Sequence, residues 1–288
     1  MMRLLALRLL GPVAGRYPGP AYAVASTLGW LGWRLMPFER GRVLRNVLPL
    51  CDGDRERARK EGVKVFQNVA RYWVDLVSMP YRDMSEFERQ HLHIDHAERL
   101  KALEVEGPVV AVSAHTGNAE LAVQALTWRG RPYVALVERL EPPRVAEHVA
   151  RLRTSAGGTF HEADFQGLKA LIAALRRGEL IGVMGDRDIQ HAGVCVRLAG
   201  RLVRLPRGPW DLARKTNALV VPIFTTRLHG DHFALHVEEP FQVPHTDDPE
   251  DDARVAAERF AAILEAHLQR EPGQWAVLED YWRVHGCG

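Results

Sequence analysis

The stretch Gly107-Pro108-Val109-Val110-Ala111-Val112-Ser113-Ala114-His115-Thr116-Gly117-Asn118-Ala119-Glu120 decides the fold of this chain. Val109 to Val112 is an unbroken apolar run rich in β-branched residues, which reads as a strand buried on both faces. Leu121-Ala122-Val123-Gln124-Ala125-Leu126 reads as the helix that follows. Between them, Thr116-Gly117-Asn118 supplies turn and cap formers. Strand, short polar turn and helix make the unit of a parallel α/β sheet. Such a turn can also carry chemistry. Amides at a helix start face developing negative charge, and a histidine steadied by a carboxylate can take a proton from an attacking hydroxyl.

His115 and Glu120 are the candidates for that pair. Positions five apart on one continuous helix point about 140° apart, so the two can meet only if His115 precedes the helix. The spacing alone carries little weight. With 13 His and 36 acids in 288 residues, roughly 1.6 His-x4-acid pairs arise by chance. The chain holds His93/Glu98, His115/Glu120 and His245/Glu250. Only the second stands at the exit of an apolar strand, and that context selects it.

Outward from this centre the same alternation repeats. A helical pattern runs from Asp54 to Met79 and stops at Pro80. His91–Ile94 reads as a short strand, Ala97–Leu103 as a helix, Glu120–Trp128 as a helix and Tyr133–Val137 as a strand. Pro142–Ala156 reads as a helix, Thr159–His161 as a strand, Phe165–Arg177 as a helix and Leu180–Met184 as a strand. Val194–Leu205 reads as a hairpin turning at Gly200, and Pro209–Lys215 as a helix. Ala218–Thr225 and His232–Val237 are the last strands, and Arg254–Gln269 is an amphipathic helix. This order predicts an α/β fold with a mainly parallel sheet covered by helices on both faces. The acidic run Asp247 to Asp252 reads as a solvated loop before the last helix.

A net charge of +2 gives no footing for nucleic-acid binding. All but five of the 38 basic residues are arginine, suited to bidentate phosphate or carboxylate contacts and also expected from an arginine-biased genome. Cys51, Cys195 and Cys287 lie far apart and form no metal-ligand spacing, which predicts a reducing cytoplasmic setting, with Cys195 a buried strand residue. Residues 1–40 separate by composition from an α/β domain over 41–288. They are rich in Leu, Ala, Gly and Trp, with arginines interspersed. The uncharged stretch Ala21 to Trp33 is thirteen residues, short of the ~20 that span a bilayer. Helices ending in Trp30, Trp33 and Arg34 are expected to dip into a membrane interface; a helix packed on the catalytic domain or on a second subunit is the other reading.

Charged residues recur at the strand exits, where open α/β sheets hold their ligands. Glu138 and Arg139 follow one strand, and Asp186, Arg187 and Asp188 follow another. Arg204 and Arg207 flank the end of the hairpin. No G-x-S-x-G elbow, phosphate-cradling glycine loop or H-E-x-x-H occurs, which removes an ordinary serine hydrolase, those nucleotide folds and a zincin. The scatter of the histidines gives no ligand spacing, so no metal and no cofactor are expected.

The chain resembles the bacterial lipid acyltransferases that include the late acyltransferases of lipid A synthesis and the phosphatidylinositol mannoside acyltransferases, the second branch being the nearer. The resemblance runs through Arg42–Val47, Arg71-Tyr72-Trp73, His115–Glu120, Val137–Leu140, Gly185–Ile189, Leu205–Pro209 and Gln274-Trp275. It implies a glycerolipid-acyltransferase-like fold. It implies transfer of a long acyl group from coenzyme A or acyl carrier protein to a hydroxyl of a membrane lipid or glycolipid, at the cytoplasmic face of the inner membrane. By resemblance His115 is the general base of an HX4D/E motif, with Glu120 orienting it. Glu138, Arg139, Arg153, Asp186, Arg187, Asp188, Arg204 and Arg207 are the residues expected around the substrate. The oxyanion is expected on amides of the Thr116–Asn118 turn or on Arg153. Relatives mostly carry Asp at 120 and an aromatic residue at 119; Ala119 is the main support for the alternative, a non-catalytic lipid-binding protein on the same scaffold.

Overall fold

Alternation along Val109–Ser113 is visible in the core that each residue enters. Val110 and Val112 pack with Leu171, Trp210, Phe224 and Phe260, whereas Val109 and Ala111 pack with Leu76, Phe87, Phe233 and Leu235. Side chains of a strand point to opposite faces in turn, so both faces of this sheet are covered, as expected. The structure is a computed structural model that describes residues 10–118, 120, 131, 133–138, 143–154 and 158–287.

Helices α1 (Pro18–Leu35), α2 (Pro37–Val47), α3 (Arg55–Ser78) and α4 (Met84–His91) precede strand β1 (Leu92–Asp95). Then follow β2 (Val109–Ser113), β3 (Tyr133–Val137), α5 (Pro143–Thr154), β4 (Thr159–Glu162), α6 (Phe165–Arg176) and β5 (Leu180–Met184). The hairpin β6 (Val194–Leu198) and β7 (Arg201–Leu205), helix α7 (Gly208–Thr216), strands β8 (Leu219–Arg227) and β9 (Phe233–Val237), helix α8 (Pro249–Arg270) and the short helix α9 (Tyr281–Val284) follow. Seven strands form one sheet in the order β1-β9-β8-β2-β5-β3-β4. Every neighbouring pair is parallel except β8 with β9. The Glu120–Trp128 helix predicted from the sequence falls almost wholly outside the described residues, as do Ala119 and Arg139.

Several local expectations change. Helix α8 begins at Pro249, not Arg254, because Asp248 caps it by accepting from the amides of Glu250 and Asp251. The acidic run is thus a helix start, where its charge meets the positive end of the helix dipole. Asp252 is buried rather than solvated and accepts from Arg214 at 2.6 Å. His91 closes α4 instead of opening a strand.

Cys195 is exposed on β6 and is joined to Cys287 by a disulfide, so it is neither buried nor unpaired. The expectation of a reducing setting rested on cysteines far apart in sequence with no ligand spacing, yet two of the three are bonded to each other. No sequence spacing signals the bond. It follows from the C-terminal segment running along β7, where the Arg204 amide donates to His285 O at 2.6 Å and the Cys287 amide to Leu202 O at 3.2 Å.

Helix α1 has two faces. Tyr22, Ala25, Gly29 and Trp33 are buried, the last as part of a cluster with Val43, Val65 and Phe66. Gly29 lies where α1 meets α3, and a Cβ there would stand 2.6 Å from the Gln67 Cα. Trp33 therefore faces protein, against the expectation that it anchors in a membrane. Val24, Leu28, Leu31 and Leu35 form the opposite, exposed stripe, with Trp30 beside it. No helix among the described residues is long and apolar enough to cross a membrane. Residue 40 falls inside α2, which Asn46 ties to the C-terminal segment through bonds to Val277 O and Glu279 O.

Candidate active site

Strand register brings the site together. In the parallel pair β2–β5, Ser113 stands opposite Met184, and the Gly185 amide donates to Ser113 O at 2.7 Å. Two residues beyond that pair, on each strand, are His115 and Asp186. His115 Nδ1 lies 2.8 Å from Asp186 Oδ1, and its amide donates to Oδ2 at 3.1 Å. A carboxylate only accepts, so Nδ1 carries the hydrogen and Nε2 is left with its lone pair.

Asp186 is fully buried, and Trp275 Nε1 donates to its Oδ2 at 2.9 Å. Tyr281 holds the backbone beneath it, its hydroxyl donating to Asp186 O at 2.8 Å. Burial by itself would raise the Asp186 pKa. The charge of His115 and the bonds from His115 and Trp275 outweigh it and hold the carboxyl down at about 2.

Glu120 takes a different partner from the one expected. Its carboxylate accepts from Arg153 Nε at 2.8 Å and from the Tyr72 hydroxyl at 2.9 Å. His115 sits in the bend before the helix, as the geometry required, but the acid bonded to its ring is Asp186. Burial, followed by the Glu120 charge, pushes the Tyr72 phenol well above its ordinary range, so it remains a neutral donor.

The turn between them is locked from two sides. Gly117 has φ +54°, and a Cβ on it would stand 2.5 Å from Thr225 O. Thr225 Oγ1 donates to Thr116 O at 2.7 Å and accepts from the Asn118 amide at 3.0 Å. From the other side, the Gly117 amide donates to Gln274 O at 3.2 Å and the Ala276 amide to His115 O at 2.7 Å. Below, Asn118 Nδ2 donates to Asp75 Oδ2 at 2.9 Å, and buried Asp75 is also paired with Arg227 and with the Tyr22 hydroxyl. With His115 bonded to Asp186 and the Thr116 amide to Ala114 O at 2.7 Å, all four amides from His115 to Asn118 have acceptors. The expected oxyanion role of the Thr116–Asn118 amides is therefore corrected: these donors hold the turn.

The remaining expected residues separate. Arg187 donates to Glu138 and to Glu279, at 2.8 and 2.7 Å, because β3 neighbours β5 and the exits of the two strands adjoin. Asp188 is buried and accepts from the Gly193 amide at 2.8 Å, which shapes the loop into β6. Arg207, the residue before α7, binds Asp211 in that helix's first turn at 3.0 Å. Arg204 lies in β7 against the C-terminal segment. A cavity of about 320 Å³ lined by Tyr133, Thr159, His161 and Arg177 opens at the amino ends of β3 and β4, the sheet edge opposite His115. Residues 121–130, which follow Glu120, lie outside the described set.

A family model described as bacterial lipid A biosynthesis acyltransferase matches residues 18–284. The chain belongs to this acyltransferase family. Its relatives include the phosphatidylinositol mannoside acyltransferase of Mycolicibacterium smegmatis, 27% identical over 74% of this chain and 69% of that one. The phosphatidylinositol mannoside acyltransferase of Mycobacterium tuberculosis H37Rv is 28% identical over 75% and 68%. The lipid A biosynthesis lauroyltransferase of Escherichia coli K12 is 24% identical over 93% and 86%. Among solved structures, the 1-acyl-sn-glycerophosphate acyltransferase PlsC of Thermotoga maritima aligns with a TM-score of 0.41 at 16% identity, over 86% of this chain and 98% of that one. The family resemblance read from the motifs holds, including the phosphatidylinositol mannoside branch.

Sequence reasoning missed Asp75, Thr225 and the roles of Gln274 and Trp275. Asp75 had a visible signal. Asn68, Tyr72 and Asp75 fall at i, i+4 and i+7 of α3, a polar stripe beside apolar Leu76 and Val77. For Trp275 the only signal was membership in the shared motif set.

Proposed function

We propose that this protein moves a long fatty acyl group from a thioester of coenzyme A or acyl carrier protein to a hydroxyl of a glycolipid or phospholipid, with His115 as general base. The observation that carries the reading is the 2.8 Å bond from His115 Nδ1 to buried Asp186. It fixes the tautomer with Nε2 ready to accept the acceptor's proton, a contribution of about 10²–10⁴-fold. As that proton leaves, the acceptor oxygen bonds to the thioester carbonyl carbon, and the imidazolium is stabilised by Asp186. Collapse of the tetrahedral adduct breaks the C–S bond, and the proton on Nε2 passes to the leaving thiolate. A thioester is already activated, so base, charge stabilisation and positioning suffice. We assign the charge stabilisation to Arg153, which Glu120 and Tyr72 hold in place.

A glycolipid acceptor such as a mannosylated phosphatidylinositol follows from the names of the mycobacterial relatives; a lipid A precursor follows from the lauroyltransferase and is the second reading. Membrane association is supported by the exposed stripe Val24, Leu28, Leu31 and Leu35 with Arg34 at its end, an apolar face with a cation where lipid headgroups would lie. The proposed donors place the enzyme on the cytoplasmic face.

The deciding experiment incubates the protein with palmitoyl-coenzyme A or palmitoyl acyl carrier protein and a membrane lipid extract, with products read by mass spectrometry. A lipid heavier by one acyl group, absent with His115→Ala, is the expected result. Turnover unchanged in that variant would overturn the role of His115. Lipid binding without turnover by either donor would overturn the reaction.

A further inference from the structure

The turn Leu228 to His232 between β8 and β9 carries a group of side chains that acyl transfer does not use. His91, at the end of α4, stands beside it. His91 Nδ1 lies 3.2 Å from Asp231 Oδ1, and the His91 and His232 ring centroids are 4.7 Å apart. One donor atom from each of the three lies within 4.8 Å of the others. His229 stacks on His232 with ring centroids 4.5 Å apart. Hydrogen bonding does not account for the grouping. His91 Nδ1 is buried and makes no hydrogen bond of good geometry, although it faces a carboxylate oxygen. Arg82 donates to the other oxygen, Asp231 Oδ2, at 3.4 Å and leaves Oδ1 toward the histidine.

The geometry points to a zinc-class divalent cation site formed by His91, Asp231 and His232. Two imidazoles and one carboxylate are a donor set for Zn²⁺ and its first-row neighbours, whereas Mg²⁺ and Ca²⁺ call for oxygen. With bonds of about 2.0–2.1 Å, the ligand atoms of a tetrahedral zinc site stand ~3.3 Å apart. The His91–Asp231 separation already matches that edge, and His232 reaches it by a shift of no more than about 1.5 Å, within a side-chain rotation. All three residues are half-buried, so a water can complete the coordination. Arg82 fixes the carboxylate from behind, and its charge tempers the affinity. Arg82 also donates to the Tyr22 hydroxyl at 2.9 Å, so a bound cation would fasten α4, the β8–β9 turn and α1 to one another. This is a structural clamp at a place separate from His115, and it stands whether or not the acyl-transfer reading does. Elsewhere among the described residues histidines meet acids at His93–Asp95–His236, His96–Glu98, His267–Glu238 and His285–Glu279, but none of these sets brings three donor atoms together as His91, Asp231 and His232 do.

The test uses untagged, chelator-stripped full-length protein titrated with ZnCl₂ by calorimetry, then with Co²⁺ by visible spectroscopy. One equivalent of Zn²⁺ is expected, and Co²⁺ should develop the intense d–d bands of a tetrahedral site. His91→Ala and His232→Ala should each weaken binding by at least the ~10–100-fold that loss of a supporting partner costs. His245→Ala, on an exposed histidine elsewhere, should leave it unchanged. His232 lies in a turn, so its variant keeps the fold, checked by circular dichroism. Absence of binding, binding of equal strength in the His91 and His232 variants, or weak octahedral Co²⁺ bands would each overturn the proposal.

Discussion

Two acids serve the strand-exit turn, and they live in different surroundings. Asp186 lies at the carboxyl end of β5, fully buried, with bonds from the His115 ring, the His115 amide and the Trp275 indole. Glu120 is partly exposed and clamped between Arg153 and Tyr72. Proximity in sequence favours Glu120 as the partner of His115, yet register in the sheet delivers Asp186 from 71 residues away. A parallel sheet sets residues side by side according to strand order, and a five-residue spacing does not override it. The two acids therefore have separate tasks: one fixes the His115 ring, the other anchors a cation.

The largest effects test the first task. His115→Ala should lower acyl transfer by about 10²–10⁴-fold with the fold intact, and Asp186→Asn should approach it by presenting the ring in the wrong tautomer. A small loss in Asp186→Asn, beside a large one in Glu120→Gln, would reverse the comparison. Next comes the turn that both acids share. Gly117→Ala should cost about 2–3 kcal/mol in denaturant unfolding, since its φ is positive and the new Cβ meets the Thr225 carbonyl.

Acid titration separates the acids by stability. The Asp186 pKa is depressed in the folded state to about 2, so its stabilising contribution is complete above the ordinary carboxylate pKa and is lost as pH falls toward 2. The sign follows from the unfolded chain binding the proton more readily. Wild type should lose about 2 kcal/mol between pH ~5 and ~2 from this residue, a loss that Asp186→Asn does not show and Glu120→Gln retains. The smallest expected effect is that of Glu120→Gln on turnover, about tenfold, because a neutral amide still accepts from Arg153 but leaves its charge unbalanced. A double-mutant cycle with Tyr72→Phe should show coupling between 72 and 120 and none between 120 and 186.

Periodicity made much of this fold legible. The strands at 109–113, 133–137 and 180–184 and the hairpin about Gly200 stand where their apolar patterns put them, since burial on one or two faces leaves a direct mark on sequence. Strand order leaves none. That β2 lies between β5 and β8 decides which side chains surround His115, and nothing local to any of the three strands encodes it. Asp186 and Arg153 were therefore visible as candidates while their partners were not. The roles of the Gly117 and Asn118 amides were illegible for the same reason: their acceptors, Gln274 and Thr225, lie more than a hundred residues away.

The Cys195–Cys287 bond turns the last third of the chain into a ring. Ninety-two residues separate the two cysteines, and closing a loop of that length removes enough freedom from the denatured ensemble to favour folding by about 4–5 kcal/mol. The ring contains Trp275 and Tyr281, the two side chains that seat Asp186. With the bond intact, the tail can fray only a short distance before the tether draws it back to β7. Once a thiol reductant opens it, the tail is held by hydrogen bonds and packing alone. Cys195 is an exposed residue of β6, within reach of such a reductant, so the lifetime of a correctly aimed His115 is coupled to the thiol potential of the solution around it.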